Sequence, residues 1–145
     1  MKKLFILLLV FTGLGTSVKA QQTVSAAITN KFVKMHSDAA SVDWKNDDKG
    51  NFVAYFKLGA NDAKVVFSKD DAWIKTVIFI SEDKFPDAVK AAIKEAFPGD
   101  FSYLEAEKIE TPEQFKYEAE IDIDGAHFKI VFDKDGNILI NKQIK

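Results

Sequence analysis

Carboxylates are the most abundant groups that could do chemistry in this chain. It holds 22 Asp and Glu, two His and no Cys in 145 residues. Acid–base catalysis needs a carboxylate whose pKa is shifted by burial or by a close neighbour. Glu118, Glu120 and Asp122 instead alternate with Ala119, Ile121 and Ile123. That is the wet side of a half-buried strand. A nucleophile is equally hard to find. There is no thiol, and no serine downstream of residue 20 stands in a Gly-x-Ser-x-Gly elbow. No catalytic residue is expected, and the chain reads as a non-enzyme.

Metal and cofactor chemistry find no better footing. Asp133-Lys134-Asp135-Gly136-Asn137 looks like the start of a calcium loop. Such a loop closes on a bidentate Glu at its twelfth position, and that position here is Ile144. A hairpin turn built on Asp-Gly is the better reading, as it is for Asp122-Ile123-Asp124-Gly125. Neither His36 nor His127 has a Cys or second His at helical spacing, and a zinc site needs three or four ligands. Both are expected to be plain surface or strand histidines, with His127 at a strand edge. No glycine-rich phosphate cradle occurs, so no metal and no cofactor are expected.

The elements that would position any site begin after a leader. Met1-Lys2-Lys3 precedes an apolar run from Leu4 to Phe11, and small residues lead to Val18-Lys19-Ala20. A basic start, a short apolar stretch and a small-residue exit read as a secretory signal peptide over residues 1–20. The apolar run is shorter than the ~20 residues a membrane span needs. Cleavage after Ala20 would leave 125 residues starting at Gln21, exported to a periplasmic or extracellular space. The formal net charge of −2 would become −5 once Lys2, Lys3 and Lys19 leave. The chain has no Arg at all. The missing planar fork and the negative charge argue against nucleic acid as a partner, and the charge argues against adsorption to an acidic membrane.

The rest of the chain reads as one unit written twice. Lys64-Val65-Val66-Phe67 returns 65 residues later as Lys129-Ile130-Val131-Phe132. The same offset carries Ile28 to Ile93, Phe32 to Phe97, Ala54 to Ala119 and Phe56 to Ile121. A tandem duplication follows, with halves at 21–81 and 82–145. Each half opens with a helix. Val24, Ile28, Phe32 and Met35 make one stripe over residues 22–36, and Val89, Ile93 and Phe97 make its equal over 86–97. Pro98-Gly99 stops the second helix. Strands follow at 39–45, 52–58, 64–67 and 73–80, then at 103–109, 115–123, 127–132 and 138–144. Short polar links favour an antiparallel meander. The expected class is α+β: a tandem duplication of a helix plus a three- to four-stranded antiparallel sheet.

With these residues in place the chain resembles a known family. Phe85-Pro86-Asp87-Ala88-Val89, Phe97-Pro98-Gly99, Tyr117-Glu118-Ala119-Glu120-Ile121 and Phe132-Asp133-Lys134-Asp135-Gly136-Asn137-Ile138 together look like the PepSY-like proteins related in fold to β-lactamase inhibitor protein. The first half departs from that pattern: it lacks the Pro-Gly stop, and Asp71 stands where the second half has Gly136. The resemblance implies an exported, non-catalytic domain that binds or inhibits another protein. It does not name a β-lactamase as the target.

Where a protein partner would bind follows from the faces. One helix per half covers one side of the sheet and leaves the other bare. Val53 and Tyr55 alternate with the core residues Ala54 and Phe56, so they are expected on the bare side. With Trp44 and Trp73 as possible neighbours they form the expected partner-binding patch, since exposed aromatics are common interface anchors. Glu118, Glu120 and Asp122 on the same side would favour a basic partner and speed its association. The strand 73–80 is apolar on both faces and could lie at the junction of the halves or present an exposed apolar surface. A carrier holding a small apolar ligand between helices and sheet is the alternative function.

Overall fold

The computed structural model describes residues 23–145. The expected leader, and the first residue of the helix predicted at 22–36, lie outside the described residues. Among the described residues no helix is long and apolar enough to cross a membrane.

Ser25 opens helix α1 (Ala26–Met35) by accepting the Ile28 amide at 3.2 Å. That bond satisfies one of the donors a helix start leaves free. Val24 lies just before the cap and packs against the same core. Ile28 and Phe32 are fully or nearly fully buried, but Met35 is 39% exposed. The stripe continues instead through His36, four residues after Phe32, which keeps it on one helical face. His36 is thus not the surface residue the sequence suggests. Its ring sits 4.8 Å from that of Phe56, and its Nε2 is 3.4 Å from Thr76 Oγ1. Burial holds its pKa below the ordinary histidine value, against the pull of Glu110 and Asp38.

Strands β1 (Ala40–Asn46), β2 (Phe52–Leu58), β3 (Asn61–Phe67) and β4 (Trp73–Phe79) follow α1. A single 3-10 turn (Glu82–Lys84) leads to helix α2 (Asp87–Ala96). Strands β5 (Ser102–Glu110), β6 (Phe115–Ile123), β7 (Ala126–Asp133) and β8 (Ile138–Gln143) complete the chain. Pro86 precedes α2, and Asp87 places a negative charge at its start, where the helix dipole favours it. Val89 and Ile93 face inward.

All eight strands form one antiparallel sheet in the order β1 to β8, each bonded only to its neighbours in sequence. Among the described residues the fold is mixed, with two helices and mostly sheet. Ala54 faces Val65 and Phe56 faces Ala63 across β2–β3, while Ala119 faces Ile130 and Ile121 faces Phe128 across β6–β7. Residues 65 apart therefore hold the same register. The strand read as 73–80 is the junction: β4 pairs with β5 over Thr76–Phe79, and Thr76 and Val77, on opposite faces, are both fully buried.

Two apolar clusters lie between helices and sheet. Ile28, Phe32, Ala54, Phe56, Val65 and Phe67 build the first. Phe85, Val89, Ile93, Ile121, Ile130 and Phe132 build the second. Burying side chains of this size is worth about 1.5–3 kcal/mol each, which lets the chain hold together with no disulfide.

Candidate functional site: the helix-free face of the sheet

Residues directly opposite each other on paired strands point to the same face. That rule sorts the four residues expected at the partner patch. Trp44 pairs with Ala54 and so shares the helix side, where it meets Phe32 edge-on at 5.5 Å. Trp73 pairs with the core residue Phe67, packs on the same cluster, and donates its Nε1–H to Thr76 Oγ1 at 3.1 Å. Both tryptophans belong to the helix side and cannot flank a patch on the bare side. Val53 does lie on the helix-free face, between Lys45 and Val66, but is only 6% exposed. It lies beneath its neighbours and offers little to a partner.

Tyr55 alone is both on the expected face and open to a partner. It is 43% exposed, with Lys45 Nζ 5.3 Å from its ring centre. Beside it lies a shallow depression of about 330 Å3 lined by Tyr55, Asp43, Lys57, Asp62 and Phe79. Phe79 also lines a second depression of about 250 Å3 at the β4–β5 junction, with Glu82, Tyr103, Leu104 and Glu105. β5 carries a bulge between Tyr103 and Glu105 there, a device that re-aims side chains.

Further along the same face the acids are not the free, solvated row the sequence suggests. Glu118 is ion-paired with Lys129, and its carboxylate raises the pKa of that lysine. The His127 ring lies between Glu120 Oε1 at 3.5 Å and Asp122 Oδ2 at 3.2 Å. Directly opposite on β5 stand two more glutamates: Glu105 faces Glu120 and Glu107 faces Glu118. Like charges placed so are destabilising. Glu107 is 8% exposed. Burial, a hydrogen bond with Glu105 and the charges of Glu118 and Glu105 push its pKa up to about 7, although Lys64, 3.7 Å away, pulls the other way.

Sequence reasoning missed this β5 glutamate pair. Its trace was the alternation Glu105-Ala106-Glu107, which repeats that of Glu118-Ala119-Glu120.

The turns expected from Asp-Gly sequences use their carboxylates internally. Asp133 accepts from the Asp135 and Asn137 amides, both at 2.9 Å, and from Asn137 Nδ2 at 2.8 Å. Asp47 does the same with Lys49 and Asn51. Hydrogen bonds from Asn137 hold the Asp133 carboxyl below the usual carboxylate range. Among the described residues no group of three or more His, Asp and Glu is placed to hold a metal ion.

An antiparallel sheet of this order, with both helix-side cores on one face, defines a β-lactamase-inhibitor-protein-like fold. The sequence profile of the family described as "Putative beta-lactamase-inhibitor-like, PepSY-like" matches residues 50–140, and the chain belongs to that family. Its structure is similar to a BLIP-like protein from Bacteroides fragilis, with a TM-score of 0.77 at 19% identity over 85% of this chain and 88% of that one. A DUF2874 family protein from Bacteroides uniformis gives 0.76 at 22% identity, covering 83% and 90%. A protein from Bacteroides eggerthii, described as "putative periplasmic", gives 0.76 at 22% identity, covering 85% and 91%. At these identities the likeness shows the fold. Among curated proteins none matches.

Proposed function

We propose that this chain is an exported, non-catalytic module that binds a protein partner, and inhibits it where the contact blocks that partner's site, with the helix-free face of the sheet as the contact surface. One observation carries the reading. The described helices α1 and α2 pack on the same side of one continuous sheet, and on the other side Tyr55 is 43% exposed beside a depression of about 330 Å3. Aromatic side chains with a rigid backing are efficient anchors in protein interfaces. The leader over residues 1–20 and a structural relative described as "putative periplasmic" support export. The common register of residues 65 apart supports a tandem duplication with halves at 21–81 and 82–145. The carrier alternative is weaker. Phe32 packs edge-on against Phe56 at 5.2 Å, and Phe85 against Tyr117 at 6.0 Å, so aromatic rings fill the space such a ligand would need.

A photo-crosslinking amino acid placed at Tyr55, and separately at the exposed helix residue Lys94, tests the reading in the envelope of the producing cell. A discrete adduct from position 55 that position 94 does not give is expected. Equal labelling from both positions, or none from position 55, refutes the proposed face.

A further inference from the structure

The sheet face proposed above as the contact surface carries an uneven charge. Four glutamates stand on it in two directly opposed pairs, Glu105 with Glu120 and Glu107 with Glu118. Folding gains nothing from such opposition, which costs stability. Three of the four have a basic group beside them within the chain: Lys64 at Glu107, Lys129 at Glu118 and His127 at Glu120. Among the described residues no ion pair reaches Glu105. It is also the member of the set that lines the depression of about 250 Å3 at the β4–β5 junction.

The other walls of that depression have a matching character. Glu82 adds a second carboxylate and Phe79 adds aromatic surface, while Tyr103 and Ile80, which pack on the second cluster, close the notch from the helix side, and no lysine lines it. Burial and the Glu82 charge together raise the Tyr103 pKa, so the phenol stays neutral in the physiological range. The ladder between β4 and β5 covers only Thr76–Phe79 against Glu107–Glu110, with one further bond from the Ile80 amide to the Ala106 carbonyl at 2.9 Å. The start of β5 therefore runs past the end of β4, and the notch lies where the two strands part, with Phe79 and Glu105 at its helix-free side. Two carboxylates and two aromatic rings around a space of side-chain size are complementary to one cationic side chain.

We propose that the protein partner docks a basic segment on this face, with one Lys or Arg side chain seated in the β4–β5 notch between Glu82 and Glu105 against Phe79 and Tyr103. This rests on the contact surface proposed above and gives its occupant a chemistry. It also moves the cation acceptor away from Glu118, Glu120 and Asp122, which the sequence favours but which the fold already pairs with Lys129 and His127. Occupation has a second effect. A cation at Glu105 would draw the carboxyl of its hydrogen-bonded neighbour Glu107 toward ionisation. Besides Glu105, the groups acting on Glu107 are Lys64 from β3, Glu118 from β6 and Lys129 from β7. Binding therefore releases protons, and affinity rises with pH across the range in which Glu107 titrates.

The test uses two blocked peptides, Gly-Arg-Gly and Gly-Gln-Gly, titrated into the isotopically labelled protein and followed by amide chemical shifts. A single seated cation should give roughly millimolar affinity. The arginine peptide is expected to move the resonances of residues 79–82 and 103–106, and the glutamine peptide to leave them in place. Glu105→Gln combined with Glu82→Gln should weaken the response by about tenfold. Each single variant should fall between. A spectrum otherwise unchanged shows that these exposed substitutions keep the fold. Equal shifts from both peptides, no shift at all, or undiminished binding by the double variant overturns the inference. Crosslinking from Tyr55 that persists after such a result leaves the contact surface standing without its cationic occupant. Loss of that crosslinking alone overturns the surface.

Discussion

Replacing Glu107 by Gln should stabilise the protein at alkaline pH and do little at acid pH. Glu107 is buried on the sheet face with its pKa raised from 4.5 to about 7. A raised acid binds its proton more tightly in the folded state. The stability it contributes is complete below the unfolded value of 4.5 and is lost as pH rises through about 7. A tenfold change in proton affinity is worth about 1.4 kcal/mol, so the loss is on the order of 3 kcal/mol. Gln keeps the shape and the hydrogen bond to Glu105 but cannot ionise. His36 changes stability in the opposite sense, because its lowered pKa disfavours the folded state as pH falls. It is present in both proteins, so the difference between them cancels it. Urea denaturation at about pH 5 and about pH 8.5 measures that difference. The variant should match the parent near pH 5 and exceed it by roughly 1–3 kcal/mol near pH 8.5. An equal difference at both values, or a variant less stable at the higher one, would mean that Lys64 compensates Glu107 fully and that the electrostatic reading of the face is wrong.

Other expectations concern the scaffold. Phe56→Ala and Ile121→Ala remove buried side chains at matching places in the two clusters, and each should cost about 2–5 kcal/mol in chemical denaturation. Gly136→Ala should cost clearly more than Gly125→Ala in thermal melts. Both glycines have positive φ, but a Cβ at 136 would lie 2.7 Å from the Ala88 carbonyl oxygen, whereas at 125 it would meet nothing within 4 Å. Ser25→Ala loses the cap of α1 together with the hydroxyl bond to Asp71 Oδ1 at 3.0 Å. A loss of about 1 kcal/mol is expected, and an unchanged midpoint in urea would show that the cap is dispensable.

The helices and the strands were legible because apolar spacing reports a face directly. The side on which Trp44 lies was not. Its strand is mostly exposed, its register shifts between Ala40 and Asp43, and Ser41 takes a left-handed φ of 55°. Such a bulge changes which residues share a face, and only pairing with Ala54 decides it. Trp73 is hidden in the same way by the register shift between Val66 and Phe67. Asp71 could be read as the counterpart of Gly136, and it does take a left-handed φ of 63°. Its hydrogen bonds to Ser25 and Lys31, which tie that loop to the start of α1, have no signature in the local sequence. Glu107 needed knowledge of the strand opposite. One glutamate in a polar strand is ordinary; its burial in the assembled sheet, with Glu105 and Glu118 close by, gives it a perturbed proton.

Each strand bonds only to the strands before and after it in sequence. Local pairing of this kind keeps the entropy of loop closure small and favours rapid folding. It also sets an order for a chain that emerges from its N-terminus as it is made. Helix α1 and strands β1–β4 have everything they need to close their cluster before α2 has appeared. Until β5 arrives, β4 is the growing edge, with Val77 uncovered where the finished sheet hides it completely. That interval is when the nascent protein most resembles an aggregation-prone sheet fragment. A pause that holds β5 back once Phe79 has emerged would prolong it.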